Sequence, residues 1–289
     1  MGKRSRLRNR DATGAAKRKA TPYVARPFEG LAGEGDWVAL RHFVPAATAS
    51  LTLAADKDRS VTACSLLPGA TPAMVRPNGD VWLGLQVQHA FGDAARELAY
   101  ALELAIEAGP GSSVNVVDDP GPGARLHDLL DPDAPFEVQV HEGFDFWVAD
   151  VDDPTGQVAA SLETANAAAW PTVRLTSVEA AYWTRMGQRE YLRWVMPQQE
   201  DDVLDALARL HEADSDRLVE GSRLIGSFRA HGLVVPVWEV PGGTGGEALE
   251  EPADALLARL DEAFVQSGPL TAAQRSARNG LTSRQLTIN

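Results

Sequence analysis

Apolar residues along the chain recur every second position in short runs and every third or fourth position in longer ones, and the two periods alternate. Four stretches read as a strand, a glycine-bearing turn and a second strand carrying a tryptophan, each leading to an amphipathic helix. In VRPNGDVWLGLQVQ the pair Asn78-Gly79 is a strong hairpin signal, and Trp82 comes after it. The helix after it spans about Asp93 to Ala108: Ala95, Leu98, Leu102, Ala105 and Ile106 share one face, Asp93 caps the start and Gly109-Pro110 stops it. FEVQVHEGFDFWVAD is the second stretch, with Trp147 and a helix from about Thr155 to Ala169. AAYWTRMGQREYLRWVMP is the third, with Gly187, Trp194 and a helix from about Gln199 to Glu212 that turns Val203, Ala206, Leu207 and Leu210 inward. RLIGSFRAHGLVVPVWEVP is the fourth, with Gly232, Trp238, a GGTGG loop and a helix from Pro252.

Register decides how the second stretch reads. A two-residue turn at Glu142-Gly143 would set His141 against Phe144 and mix polar with aromatic residues on both faces. A three-residue loop, His141-Glu142-Gly143, sets Val140 against Phe144, Val138 against Phe146 and Phe136 against Val148, giving one apolar face. The second register predicts a return strand through Phe144 and Phe146, with Asp145 and Trp147 on its other side. It leaves His141 at a loop tip, and the AHG at 230–232 repeats the type.

GDWVALRHFV reads as a short helix capped by Asp36. Residues 109–135 read as loop with at most one short element, and a last helix begins at Thr271, where TAAQ has capping-box spacing. The terminal RQLTIN is a candidate edge strand. The expected fold is α+β: two similar halves of antiparallel β-hairpins followed by amphipathic helices, 27–170 and 171–289, meeting near Trp170-Pro171, behind a basic arm at 1–26.

Charge sharpens the picture of the arm. Residues 1–19 hold eight bases (Lys3, Arg4, Arg6, Arg8, Arg10, Lys17, Arg18, Lys19) against one acid, Asp11; that is +7 within a net charge of -13, leaving -20 for the rest. With only Met1 and Leu7 as large apolar residues, the arm is expected to be disordered. It suits sequence-independent contact with phosphates of RNA or the ribosome, or docking on the acidic body. No apolar run approaches the ~20 residues of a membrane span, and no apolar segment succeeds the basic start as in a secretory signal. With Cys64 the sole cysteine, no internal disulfide forms, and a cytoplasmic location is expected.

Candidate chemistry is sparse. Asp118, Asp119, His127, Asp128, Asp131 and Asp133 carry metal-ligating groups, and with His127 or His141 they would serve a metal-dependent hydrolase. They lack EF-hand or HExxH spacing, and the acids beside Pro and Gly suit turns. DDPGPG has no Lys-Ser/Thr after it, GGTGG lacks the rest of a dinucleotide fingerprint, and neither a GxSxG elbow nor a CxxC pair occurs. The hairpin tryptophans offer a stacking platform or a ligand pocket, but residues so placed are more often core.

GDWVALRHFVPAATA, HEGFDFWVAD and GSFRAHGLVVPVWEVP, with the MGKRSR start, resemble a family of uncharacterised actinobacterial proteins carrying a domain of unknown function, over nearly the whole chain. Some members are labelled preprotein translocase ATPase subunits. This chain has no Walker motif and no cysteine-rich zinc tail, so the label does not transfer, and the resemblance implies no catalytic residue. The sequence thus leans towards a cytosolic, non-catalytic protein-interaction or regulatory module without cofactor, its arm touching RNA or the ribosome. A metal-dependent hydrolase or a Trp-lined ligand site is the alternative.

Overall fold

A computed structural model describes residues 19–148 and 157–283. The fold is α+β. The first sheet has the order β5-β3-β4-β2-β1-β6, from β1 (Ala47–Leu51), β2 (Val61–Cys64), β3 (Ala73–Val75), β4 (Val81–Gly84), β5 (Ser113–Val114) and β6 (Val138–Val140). Its pairs are antiparallel except β2 with β4. The second sheet has the order β10-β11-β9-β8-β7 and is antiparallel throughout. Its strands are β7 (Thr172–Arg174), β8 (Ala181–Met186), β9 (Arg189–Trp194), β10 (Arg223–Ala230) and β11 (Leu233–Val240).

Seven α-helices lie among the described residues: α1 (Glu34–His42), α2 (Ala94–Glu107), α3 (Leu126–Leu129), α4 (Gln157–Ala168), α5 (Glu200–Glu212), α6 (Glu250–Phe264) and α7 (Ala272–Ser283). Caps form where polar residues precede apolar periodicity. The Asp93 carboxylate accepts from the amides of Ala95 and Arg96 at the head of α2. Thr271 and Gln274 form the reciprocal capping box ahead of α7.

The turns at Asn78-Gly79, Gly187 and Gly232 do close hairpins, β3 to β4, β8 to β9 and β10 to β11. The last requires its glycine twice over. His231 and Gly232 both have positive φ (47° and 84°), as in a type I′ turn, and a Cβ on Gly232 would lie 2.7 Å from the Ala25 carbonyl. HEGFDFW departs from expectation. Val138–Val140 pairs with β1, so that Val140 opposes Ala47, and residues 145–148 form a 3₁₀ turn instead of a return strand. Alternation in five residues fits a strand, but an apolar run this short fits a tight turn equally well, and the open edge of β1 takes the first segment. Residues 109–135 hold both β5 and α3, one element more than expected. The RQLTIN strand lies at 284–289, outside the described residues.

Both faces of the second sheet are buried, which explains the unbroken apolar run LVVPVW in β11. Leu233, Val235 and Val237 join Phe28, Trp37 and Phe43 in one core, together with Leu98 and Leu102 of α2. Val234, Trp238 and Val240 join Val203 and Leu207 of α5, Leu256 and Leu260 of α6 and Leu281 of α7 in another. Trp238 is fully buried, and truncating it to Ala would cost about 3–5 kcal/mol.

Asp36 is not the cap of α1. The N-cap is Gly33, and Asp36 sits a turn inside, 3% exposed. Its carboxylate accepts from Arg174 Nε and Nη2 at 3.0 and 2.9 Å and from the Tyr182 hydroxyl at 2.5 Å. A Cβ on Gly35 would lie 2.6 Å from that of Ala180, so glycine lets the first turn of α1 approach the second sheet. The 27–170 and 171–289 segments therefore share a core and an ion pair.

Candidate functional site

His141 donates its backbone N–H to Ala46 and bonds Thr48 Oγ1 through Nε2 at 2.8 Å. Its ring lies 4.7 Å from that of Phe146, and burial lowers its pKa. Asp145 is directed elsewhere, with Oδ2 at 3.4 Å from Asn166 Nδ2. The pair forms no catalytic dyad. Trp147, the other residue assigned to the outer side, donates Nε1 to the Leu66 carbonyl and lies 4.3 Å from the Phe144 ring.

The acids of 118–133 do not converge on a metal. Asp119 accepts from the amides of Thr21 and Gly121 and, at 2.5 Å, from the Thr21 hydroxyl. Asp128 accepts from the Arg125 amide and caps α3. Asp131 pairs with Lys57 and accepts from the Asp133 amide. His127 Nε2 lies 2.9 Å from the Glu29 carbonyl; a carbonyl only accepts, so the proton is on Nε2. Among the described residues no three His, Cys, Asp or Glu side chains are grouped to hold a metal ion. Backbone amides near these turns claim the carboxylates of Asp119, Asp128 and Asp131, which draws these acids apart.

The glycine loops serve internal charges. GGTGG wraps Glu190, whose carboxylate accepts from Gly243 N at 2.7 Å, Gly245 N at 2.9 Å and Trp183 Nε1 at 3.0 Å. Burial alone would raise the Glu190 pKa, but these donors outweigh it and hold the carboxyl below its ordinary value. DDPGPG surrounds a guanidinium: Arg96 donates to the carbonyls of Gly121 and Ala124. A Cβ on Gly123 would lie 2.5 Å from that group. Cys64 is buried, and burial pushes its thiol up to about 12, against a smaller opposing pull from Arg76.

The hairpin tryptophans are packing residues. Trp194 and Trp238 are buried, and Trp238 Nε1 donates to the Asp216 carbonyl. Trp82 is half-buried under the Arg76 guanidinium, 4.3 Å from the ring centroid. Besides two broad surface clefts of about 510 Å³, one beside α7 and one beside Asn78, two narrower ones open, and none of the four is lined by Trp82, Trp147, Trp194 or Trp238. One narrower cleft, of about 80 Å³, lies between Leu31, Trp37, His127 and Phe136. The other, of about 140 Å³, lies between Phe91, Leu98 and Ala101 on one side and Thr71, Asn115 and Val117 on the other.

Of the eight bases of residues 1–19, Lys19 lies among the described residues and is exposed; Lys3, Arg4, Arg6, Arg8, Arg10, Lys17 and Arg18 lie outside them. The segment after Lys19 is fixed to the body. Thr21 is held by Asp119, and Val24 N donates to the Gly92 carbonyl at 2.9 Å. This root therefore runs past Phe91 and the 117–119 segment, at the border of the cleft of about 140 Å³. Tyr23 is 80% exposed and Val117 66%. Sequence reasoning passed over both. The available signals were a lone aromatic in TPYVARP and paired valines in a loop otherwise made of turn formers.

No helix among the described residues is long and apolar enough to cross a membrane. A comparison with protein-family models matches residues 27–289 to one described as a family of unknown function, DUF5926. No curated protein and no solved structure matches the chain.

Proposed function

The chain belongs to this family of unknown function, and we propose that it is a non-catalytic interaction module of the cytoplasm that binds RNA through Lys3, Arg4, Arg6, Arg8, Arg10, Lys17, Arg18 and Lys19. The observation that carries the reading is the division of charge, +7 in residues 1–19 of a chain whose net charge is -13. An acidic body repels a polyanion, so contact with the phosphates falls to the arm and is electrostatic. Two features of the body support it. The carboxylates and imidazoles that suggested hydrolysis are engaged in capping and packing, and the root of the arm is pinned by Thr21 and Asp119.

Deleting residues 1–19 and titrating RNA by fluorescence anisotropy tests the reading. With about six phosphates neutralised on a single strand, log K of the full chain falls with log salt at a slope of about -4. The truncated chain should lose both the affinity and the slope. Equal binding with and without the arm overturns the proposal.

A further inference from the structure

We propose that the 140 Å³ cleft beside the arm root takes an unpaired base, so that the RNA bound is single-stranded. This rests on RNA binding by the arm. The size fits a ring: an apolar cavity of about 150 Å³ accommodates benzene, and this one is open on one side, leaving room for a larger heterocycle to project. The walls are the apolar surfaces of Phe91, Leu98, Val116 and Val117, while Gln88, His89 and Asn115 bring hydrogen-bonding groups to the lining. Such a mixture suits a flat, neutral ligand with polar edges.

Charge excludes the phosphate itself. Glu97 lines the cleft, and its carboxylate is already engaged by the amides of Phe91 and Gly92 at 2.7 and 2.9 Å and by Arg41 at 3.3 Å. It offers no cation to a phosphate and repels one. The cations lie in the arm, whose root crosses Gly92 and Asp119, next to the cleft residues Phe91 and Val117. Tyr23, in the same root and 80% exposed, adds an aromatic face. A base on Tyr23 and a base in the cleft suit one strand whose phosphates meet the cations of residues 1–19, the combination by which single strands are held. Bases paired in a duplex are stacked out of reach of such a cleft.

The test compares three probes of equal length on the full chain at one salt concentration: a single-stranded RNA, the same sequence as a duplex, and an abasic ribose-phosphate strand. The single strand should bind about 10-fold tighter than either control, the scale of one stacked base. Tyr23→Ala and Val117→Ser, both uncharged changes at exposed positions, should each weaken single-strand binding several-fold and leave the abasic strand unaffected. Equal binding of the three probes, as when a protein side chain is the true occupant of the cleft, overturns the proposal, and so do variants without effect on the single strand. If deletion of 1–19 abolishes binding of all three while the variants do nothing, the base site fails and the arm reading stands. If the deletion changes nothing, both fail.

Discussion

Replacing Asp36 by Asn removes one negative charge from the contact between α1 and the second sheet and leaves the Arg174 guanidinium facing an amide. Asp36 is 3% exposed, and its carboxylate takes two hydrogen bonds from Arg174 and one from Tyr182. The Asn oxygen retains the Tyr182 bond, but its NH₂ confronts a donor. Breaking a buried pair by neutralising one partner costs roughly 3–5 kcal/mol. The Arg174 side chain keeps 24% exposure and some hydration, so the lower end, about 3 kcal/mol, is expected. In a chain of this size that is a Tm lower by roughly 6–10 °C. Urea unfolding followed by tryptophan fluorescence measures it, with Arg174→Met and the double variant completing a cycle. The double variant should be more stable than the sum of the two single losses by at least about 1.5 kcal/mol, because no uncompensated charge is left buried. The coupling should persist in 1 M salt, where the Debye length is about 3 Å, whereas that of the exposed Arg229–Glu200 pair should vanish. An Asp36→Asn loss under about 0.5 kcal/mol, or additivity in the cycle, would refute this account.

Three further outcomes are expected. Glu190→Gln should cost about 2 kcal/mol at neutral pH, since charge-assisted bonds from N–H donors are lost. The folded carboxyl titrates below its unfolded value of about 4.3, so its contribution is present above that value and fades as pH falls through the lowered one; urea midpoints of the two proteins should converge in acid. Cys64, with its thiol at about 12, should resist a thiol reagent at pH 8 in the native chain and react fully in guanidinium. His231 is lowered to about 3, first by burial and then by Arg41 and His42. The unfolded ring takes its proton near about 6.5 while the folded one does not. Stability should therefore decline as pH drops from that value towards the folded one, and a His231→Asn variant, whose side chain tolerates positive φ, should show a flatter acid limb in Tm against pH.

Where local chemistry and tertiary demand agreed, the sequence was readable. Asn78-Gly79, the Asp93 cap, the Thr271-Gln274 box and the inward face of α5 are all settled within a few residues. HEGFDFW misled because its alternation is compatible with a hairpin, while the partner that decides the matter, β1, lies some ninety residues away; Thr48 to His141 spans 93. Asp36 misled for a related reason. An acid next to Trp37 near a helix start resembles a cap, and the guanidinium that explains it is 138 positions on. The glycine loops could be excluded as phosphate sites from their flanks, but not assigned to Glu190 and Arg96. The cleft beside Tyr23 was hidden because four separate segments build it.

The β10–β11 turn also has a bearing on biosynthesis. Gly232 packs on the Ala25 carbonyl, and Arg26 Nη2 donates to the Pro197 carbonyl across 171 residues. Residues 25–28 cannot settle until the ribosome has made this hairpin, much later in the sequence. Until then the first sheet waits with one side of its core uncovered, and contacts this distant in sequence close late and slowly. The nascent chain therefore carries its cationic first residues ahead of an unfinished body for most of the time its synthesis takes.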